Sequence, residues 1–199
     1  MQAHLQKTDG FTLLELLVAM GLGLTMMGAI ATTYMSQTKV YAAQEQLNEM
    51  EQNARGALDV ITRELKMAGY KPAGGTVTGI THSTSQLQIE ADIDSNGAID
   101  NTSNTTVERI IFAFDSGNKR ITRKLGSGGT VQAVADNVTA FSFDYLDSIG
   151  GTAPTSATVR QVRVNITAKT ARPDLNYSSN SGYRTITMTA TVTPPNLAL

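Results

Sequence analysis

The chain has 199 residues, with 16 Lys and Arg against 17 Asp and Glu and a formal charge of −1. A balance of this kind offers no electrostatic attraction to polyanions, which excludes nucleic acid as an expected partner. There is no cysteine, so disulfides, thiolate chemistry and cysteine zinc sites are excluded as well.

A short polar leader, Met1 to Asp9, ends at Gly10, and an apolar run follows. From Leu16 to Met35 no residue carries a formal charge. At 1.5 Å per helical residue that run matches the ~30 Å of a bilayer core. Glu15 stands at its start, where a carboxylate in hydrocarbon costs about 2.5–3.5 kcal/mol, so a partner is expected. Cutting after Gly10 would supply one: Phe11 would gain a free cationic amine one helical turn from Glu15. Loss of the leader would remove Lys7 and Asp9 together and leave the side-chain charge unchanged. Two plainer readings compete. One is a secretory signal peptide with Lys7 in its basic region and Ala29-Ile30-Ala31 as the cleavage site. The other is a simple membrane anchor, which leaves Glu15 and the Gly10 boundary unexplained.

Past Met35 the apolar positions keep helical spacing through Val40, Ala43, Leu47, Met50, Ala54, Ala57, Leu58, Ile61, Leu65 and Ala68, with polar residues on the other faces. Gly69 can end this helix in a left-handed conformation, and Pro72 prevents its resumption. The pattern predicts one helix from Thr12 to Ala68, roughly 85 Å long. The first half would span a membrane and the second half would lay its stripe on a soluble domain. Gly21, Gly23 and Gly28 would permit close helix approach, or are simply tolerated.

From Gly74 the texture turns to short alternating segments punctuated by Thr, Ser, Gly and Asn, which predicts an antiparallel sheet with one face on the helix. Val107 to Phe114 and Arg120 to Leu125 flank a hairpin turn at Asp115-Ser116-Gly117-Asn118. Phe141, Phe143 and Tyr145 alternate with polar residues, as do the apolar positions of the segments 161–169 and 185–192. The stretch from Arg172 to Gly182 is expected to be a loop. His82 has no acid or cysteine partner near it in sequence and reads as a surface or loop histidine. Gly126-Ser127-Gly128-Gly129 reads as a flexible turn, because it lacks the lysine and helix of a phosphate loop. No hydrolase or zinc-protease motif is present, so an enzyme is not expected.

One segment suggests metal chemistry: Asp92-Ile93-Asp94-Ser95-Asn96-Gly97-Ala98-Ile99-Asp100. Oxygen ligands from Asp92, Asp94 and Asn96, the carbonyl of Ala98, and Asp100 directly or through water would wrap a hard cation around the glycine at the sixth position. Calcium is the cofactor this pattern would take. Position twelve is Ser103, where a bidentate Glu is expected, so affinity should be weak; the alternative is an Asx-rich turn.

Gly10-Phe11-Thr12-Leu13-Leu14-Glu15 resembles the cleavage and methylation signal of type IV prepilins and type II secretion pseudopilins. The resemblance implies an α+β, pilin-like fold divided into a leader (1–10), a membrane-spanning and filament-core half helix (11–35), an amphipathic half helix (36–69) and a β-rich head (70–199). It also implies a prepilin peptidase that cuts after Gly10 and methylates Phe11, with Phe11 and Glu15 acting in assembly. The helix end Arg55 to Tyr70 and the stretch Ala135 to Phe143 are similar to PilW-like minor pilins and to the pseudopilin GspJ, with PilW-like preferred. Many major pilins carry a helix-breaking proline and a C-terminal disulfide, and this chain has neither. The implied role is a structural subunit of type IV pilus assembly. Its implied partners are the peptidase, other minor and major pilins, inner-membrane assembly proteins and membrane lipid. The implied location is the inner membrane with the head in the periplasm, then the pilus outside the cell. The alternatives are a GspJ-like pseudopilin and, from a different class, a membrane-anchored calcium-dependent adhesin.

Overall fold

The computed structural model describes residues 10–72, 74–101, 108–174 and 176–197. The leader 1–9, Val107 and Ser103 lie outside them. The chain divides at Glu45 and Gln46 into two compact units, and helix α1, Leu13–Met67, runs through that division.

In the first unit α1 carries no charged residue from Leu16 to Met35, and its large side chains are exposed, among them Leu14, Leu17, Met26 and Ile30. It includes a stretch long and apolar enough to cross a membrane. The hydroxyls of its threonines bond the helix itself. Thr25 donates to the Leu22 carbonyl (2.8 Å), Thr32 and Thr33 to that of Ala29 (2.9 Å each) and Thr38 to that of Tyr34 (2.7 Å). A threonine that bonds its own helix brings no open polar group into hydrocarbon, where each such group costs several kcal/mol.

In the second unit the last turns of α1 pack on two antiparallel sheets. One has the order β1 (Ile80–Thr81), β2 (Gln86–Glu90), β3 (Arg109–Asp115), β4 (Arg120–Leu125), β5 (Val131–Ala135). The other has the order β6 (Val138–Leu146), β7 (Gln161–Lys169), β8 (Thr185–Val192). Met50, Ala54, Ala57, Ile61 and Leu65 recur every three or four residues and are buried on one helix face, against Leu87, Phe112 and Ile121 of the first sheet and Val162, Val164 and Ile166 of the second. Val40, expected at the start of this stripe, is 53% exposed; full burial begins at Met50.

The single sheet expected from alternation is therefore two. Alternation identifies strands but not their pairing, and here the chain changes sheets within two residues. Asn137 takes a left-handed φ of 56°, the Val138 N–H donates to the Lys119 carbonyl (2.8 Å), and a bulge at Val138/Ala140 follows. The expected hairpin is present. Asp115 accepts from the Asn118 side chain (2.7 Å), the Asn118 N–H (3.0 Å) and Arg120 (3.1 Å), which together hold its carboxyl below the usual range. The glycine turn after β4 is tight rather than loose: a Cβ at Gly129 would strike the Leu125 carbonyl. His82 is half-buried, its ring 4.6 Å from that of Tyr145. Burial pushes the Tyr145 hydroxyl up to about 12, so it stays protonated and donates to the Ser83 carbonyl at 3.0 Å.

Gly69 closes α1 at φ 78°, and its N–H donates to the Glu90 carbonyl at 2.9 Å, tying the helix end to β2. Gly79 (φ 76°) lies against it, so a Cβ at Gly79 would come within 2.9 Å of the Gly69 Cα and N. Gly79→Ala therefore meets both left-handed strain and a backbone clash. We expect a loss of about 1–3 kcal/mol, read as a lower denaturation midpoint at an unchanged slope.

Candidate functional site

The N-terminal motif is built by the start of the helix. Gly10, Phe11 and Thr12 precede the first helical residue, Leu13, and Phe11 is 93% exposed. Thr12 and Glu15 form a reciprocal cap. The Glu15 carboxylate accepts from the Thr12 N–H and from its hydroxyl (2.9 Å each), while the Thr12 hydroxyl accepts from the Glu15 N–H at 3.2 Å. A carboxylate at this position also meets the positive end of the helix dipole. In the full-length chain the Phe11 nitrogen is a peptide nitrogen, so the cap is the partner available to Glu15. The spacing Thr-x-x-Glu is itself a capping-box signature, which the sequence reading passed over when it paired Glu15 with the Phe11 amine.

The second candidate is the loop 92–100. Asp92 is fully buried and accepts from the N–H groups of Asn96 (3.1 Å) and Gly97 (3.0 Å). Gly97 adopts φ 83°, the conformation for which glycine suits the sixth position. One oxygen each of Asp92, Asp94 and Glu108 lies within 4.8 Å of the others. Oxygens on a calcium shell of about 2.3–2.6 Å radius are at most about 5 Å apart, so this set fits a calcium ion. Of the other expected ligands, Asn96 is engaged within the loop. Asn96 turns its NH2 toward Asp94 (3.1 Å) and Asp100 (3.4 Å), and its Oδ1 accepts from the Ala98 N–H (2.8 Å). Asp100 donates its N–H to Glu108 at 3.0 Å.

Glu108 is the residue that sequence reasoning missed. The twelfth-position acid was sought at Ser103, which lies outside the described residues, whereas the carboxylate arrives from the residue before β3. It is 2% exposed. Burial pushes its carboxyl up, but the N–H groups of Asp100, Asp94 and Ile93 (3.0, 3.0 and 2.6 Å) outweigh that and hold it below the usual range. Asp94 is pushed up by desolvation, against the Asn96 N–H, with the neighbouring charges of Glu108, Asp100 and Asp92 adding to the rise. The signal available in the sequence was an acid set directly before an apolar strand.

Residues 5–31 match the prokaryotic N-terminal methylation motif. Residues 43–189 match the family described as prepilin peptidase-dependent protein B. No curated protein matches the chain. A type IV-like pilin from Thermus thermophilus is similar in structure at a TM-score of 0.45 and 16% identity, over 78% of this chain and 98% of that one. The described part of the motif, from Gly10 on, takes in the start of α1, and the family match runs from residue 43 in α1 to residue 189 in β8. The chain thus carries the prokaryotic N-terminal methylation motif and belongs to the prepilin peptidase-dependent protein B family.

Proposed function

We propose that the chain is a minor pilin: a precursor cut after Gly10, methylated on Phe11, held in the inner membrane by residues 11 to about 35, and incorporated into a type IV pilus with its head exposed outside the membrane. The observation that carries this is the coincidence of the methylation motif with the helix boundary. The bond between Gly10 and Phe11 falls in exposed, non-helical backbone immediately before α1, where a peptidase can bind an extended chain. Cutting there would free an amine beside the Thr12–Glu15 cap, and the carboxylate could then serve the amine of its own or a neighbouring subunit. Other pilins and the peptidase are the partners of this role.

Intact mass of the membrane-extracted protein tests the processing step. In a host with active prepilin peptidase the chain should begin at Phe11 and carry one added methyl group; a chain beginning at Met1 or after Ala31 overturns it. Deleting the gene in its native host distinguishes the PilW-like role from the GspJ-like one. Loss of surface pili with normal secretion is expected, and lost secretion with intact pili would assign the chain to a secretion system.

A second reading concerns the loop 92–100, where Glu108 offers the carboxylate that the loop itself lacks. We propose that Asp92, Asp94 and Glu108 hold calcium, which would neutralise three adjoining carboxylates and stiffen the head. Millimolar calcium should then raise the melting temperature, and Glu108→Gln should abolish that rise. An absence of any shift at millimolar calcium would refute the site.

A further inference from the structure

One cavity of the head combines aromatic rings, hydroxyls and two opposite charges that no ion pair consumes. It has a volume of about 470 Å³, which suits a small molecule, and lies between the loop after β1 and the end of β6. Three of its lining residues carry rings that pack together. Tyr145 is 5% exposed and backs two half-buried rings, His82 at 4.6 Å and Phe143 at 5.7 Å between centroids. Thr84 and Thr152 add hydroxyl-bearing residues to the wall.

The cavity is held in shape from both sides. On one, the His82 N–H donates to the Ser156 hydroxyl (2.8 Å), and the Ser83 carbonyl accepts from Tyr145. On the other, Asp147 accepts from the N–H groups of Ile149 (2.9 Å) and Gly151 (2.8 Å), which fixes the loop that carries Gly150 and Thr152. A site formed in advance loses little freedom when it binds.

Asp144 and Arg163 stand opposite each other on β6 and β7, a register in which opposite charges attract. Among the described residues they make no ion pair with each other or with any other group, and both line the cavity. Asp144 accepts only from the Asn165 amide, at 3.3 Å. The wall therefore offers a strong donor and a strong acceptor side by side with no net charge. An anion would meet Asp144, and a cation would meet Arg163. A neutral ligand with neighbouring hydroxyls satisfies both, because each hydroxyl donates and accepts. An apolar C–H face on the same ligand would lie against the rings. A peptide strand is disfavoured because the edge of β6 is already closed here by the chain itself. Leu146 bridges Thr152, and the Ala153 N–H donates to the Tyr145 carbonyl at 2.9 Å.

We propose that this cavity binds a saccharide, with one sugar ring against Phe143 and His82 and its adjacent hydroxyls shared between Asp144 and Arg163. None of these residues takes part in processing or anchoring, so the site stands whether or not the chain enters a pilus.

The probes are glucose, galactose, mannose and N-acetylglucosamine, offered to the full-length chain in a detergent without a sugar headgroup. Saturation transferred from protein to sugar protons in NMR reads binding, and triglycine serves as the peptide comparison. At about 10 mM at least one of the sugars should receive saturation, and triglycine should not. Asp144→Asn and Arg163→Met should each weaken binding of that sugar roughly tenfold or more. Both side chains are exposed, so each variant should melt with the parent. Thr187→Val, outside the cavity, should bind as the parent does. No transfer to any of the sugars, transfer to triglycine in their place, or binding indifferent to both charge variants overturns the site.

Discussion

Glu15→Leu should leave the amount of chain in the membrane unchanged and reduce its recovery in sheared surface pili by more than tenfold. The leucine removes the one acid of the apolar run, so insertion is if anything favoured. What it deletes is the partner for the amine that processing would create. Glu15→Gln separates the charge from the cap. Glutamine can still close the reciprocal hydrogen bonds with Thr12, so a requirement for the cap alone predicts near-normal recovery. The proposed role needs the charge, and Gln should fail as Leu does. Full incorporation of the Gln variant, measured by immunoblot of sheared pili against membrane, would show that helix capping is the whole of Glu15's contribution.

Phe112→Ala should cost about 3–5 kcal/mol, the largest stability loss of any single truncation in the head. The ring is fully buried in β3, the central strand of the five-stranded sheet, beside Leu87 on β2 and Arg123 on β4. A domain of ordinary stability has only about 5–15 kcal/mol in hand, so the variant should melt roughly 10 °C or more below the parent. Val131→Ala, on an edge strand and 55% exposed, should change stability by about 0.5 kcal/mol or less. Equal melting losses for the two variants would mean that the core does not lie where these contacts put it.

The long helix and the last two strands were legible because their periodicity is strict. Alternation at Val162, Val164, Ile166 and Ala168 marks β7 residue by residue, and the threonines of β8 do the same. β5 was missed because Val131-Gln132-Ala133-Val134-Ala135 is nearly uniform in polarity, and β1 because two residues have no period. The division into two sheets depends on long-range pairing and on the turn at Asn137, neither of which leaves a periodic trace. At the candidate sites, the Gly10 boundary of the apolar run and Glu15 could be read from local spacing, where the methylation motif matches. Glu108 could be read only as an acid before an apolar strand; that it enters the Asp92–Asp100 loop could not, because it does so from across a segment whose length the pattern does not fix.

The tie between Gly69 and Glu90, joined by the Asp92 N–H that donates to the Tyr70 carbonyl at 2.8 Å, has a mechanical consequence. Tension drawn along the amphipathic part of α1 cannot peel it from the head one contact at a time. It must slide Met50, Ala54, Ala57, Ile61 and Leu65 past both sheets together while breaking two backbone hydrogen bonds at its end. The head is therefore loaded in shear, the geometry in which many weak contacts yield only at once.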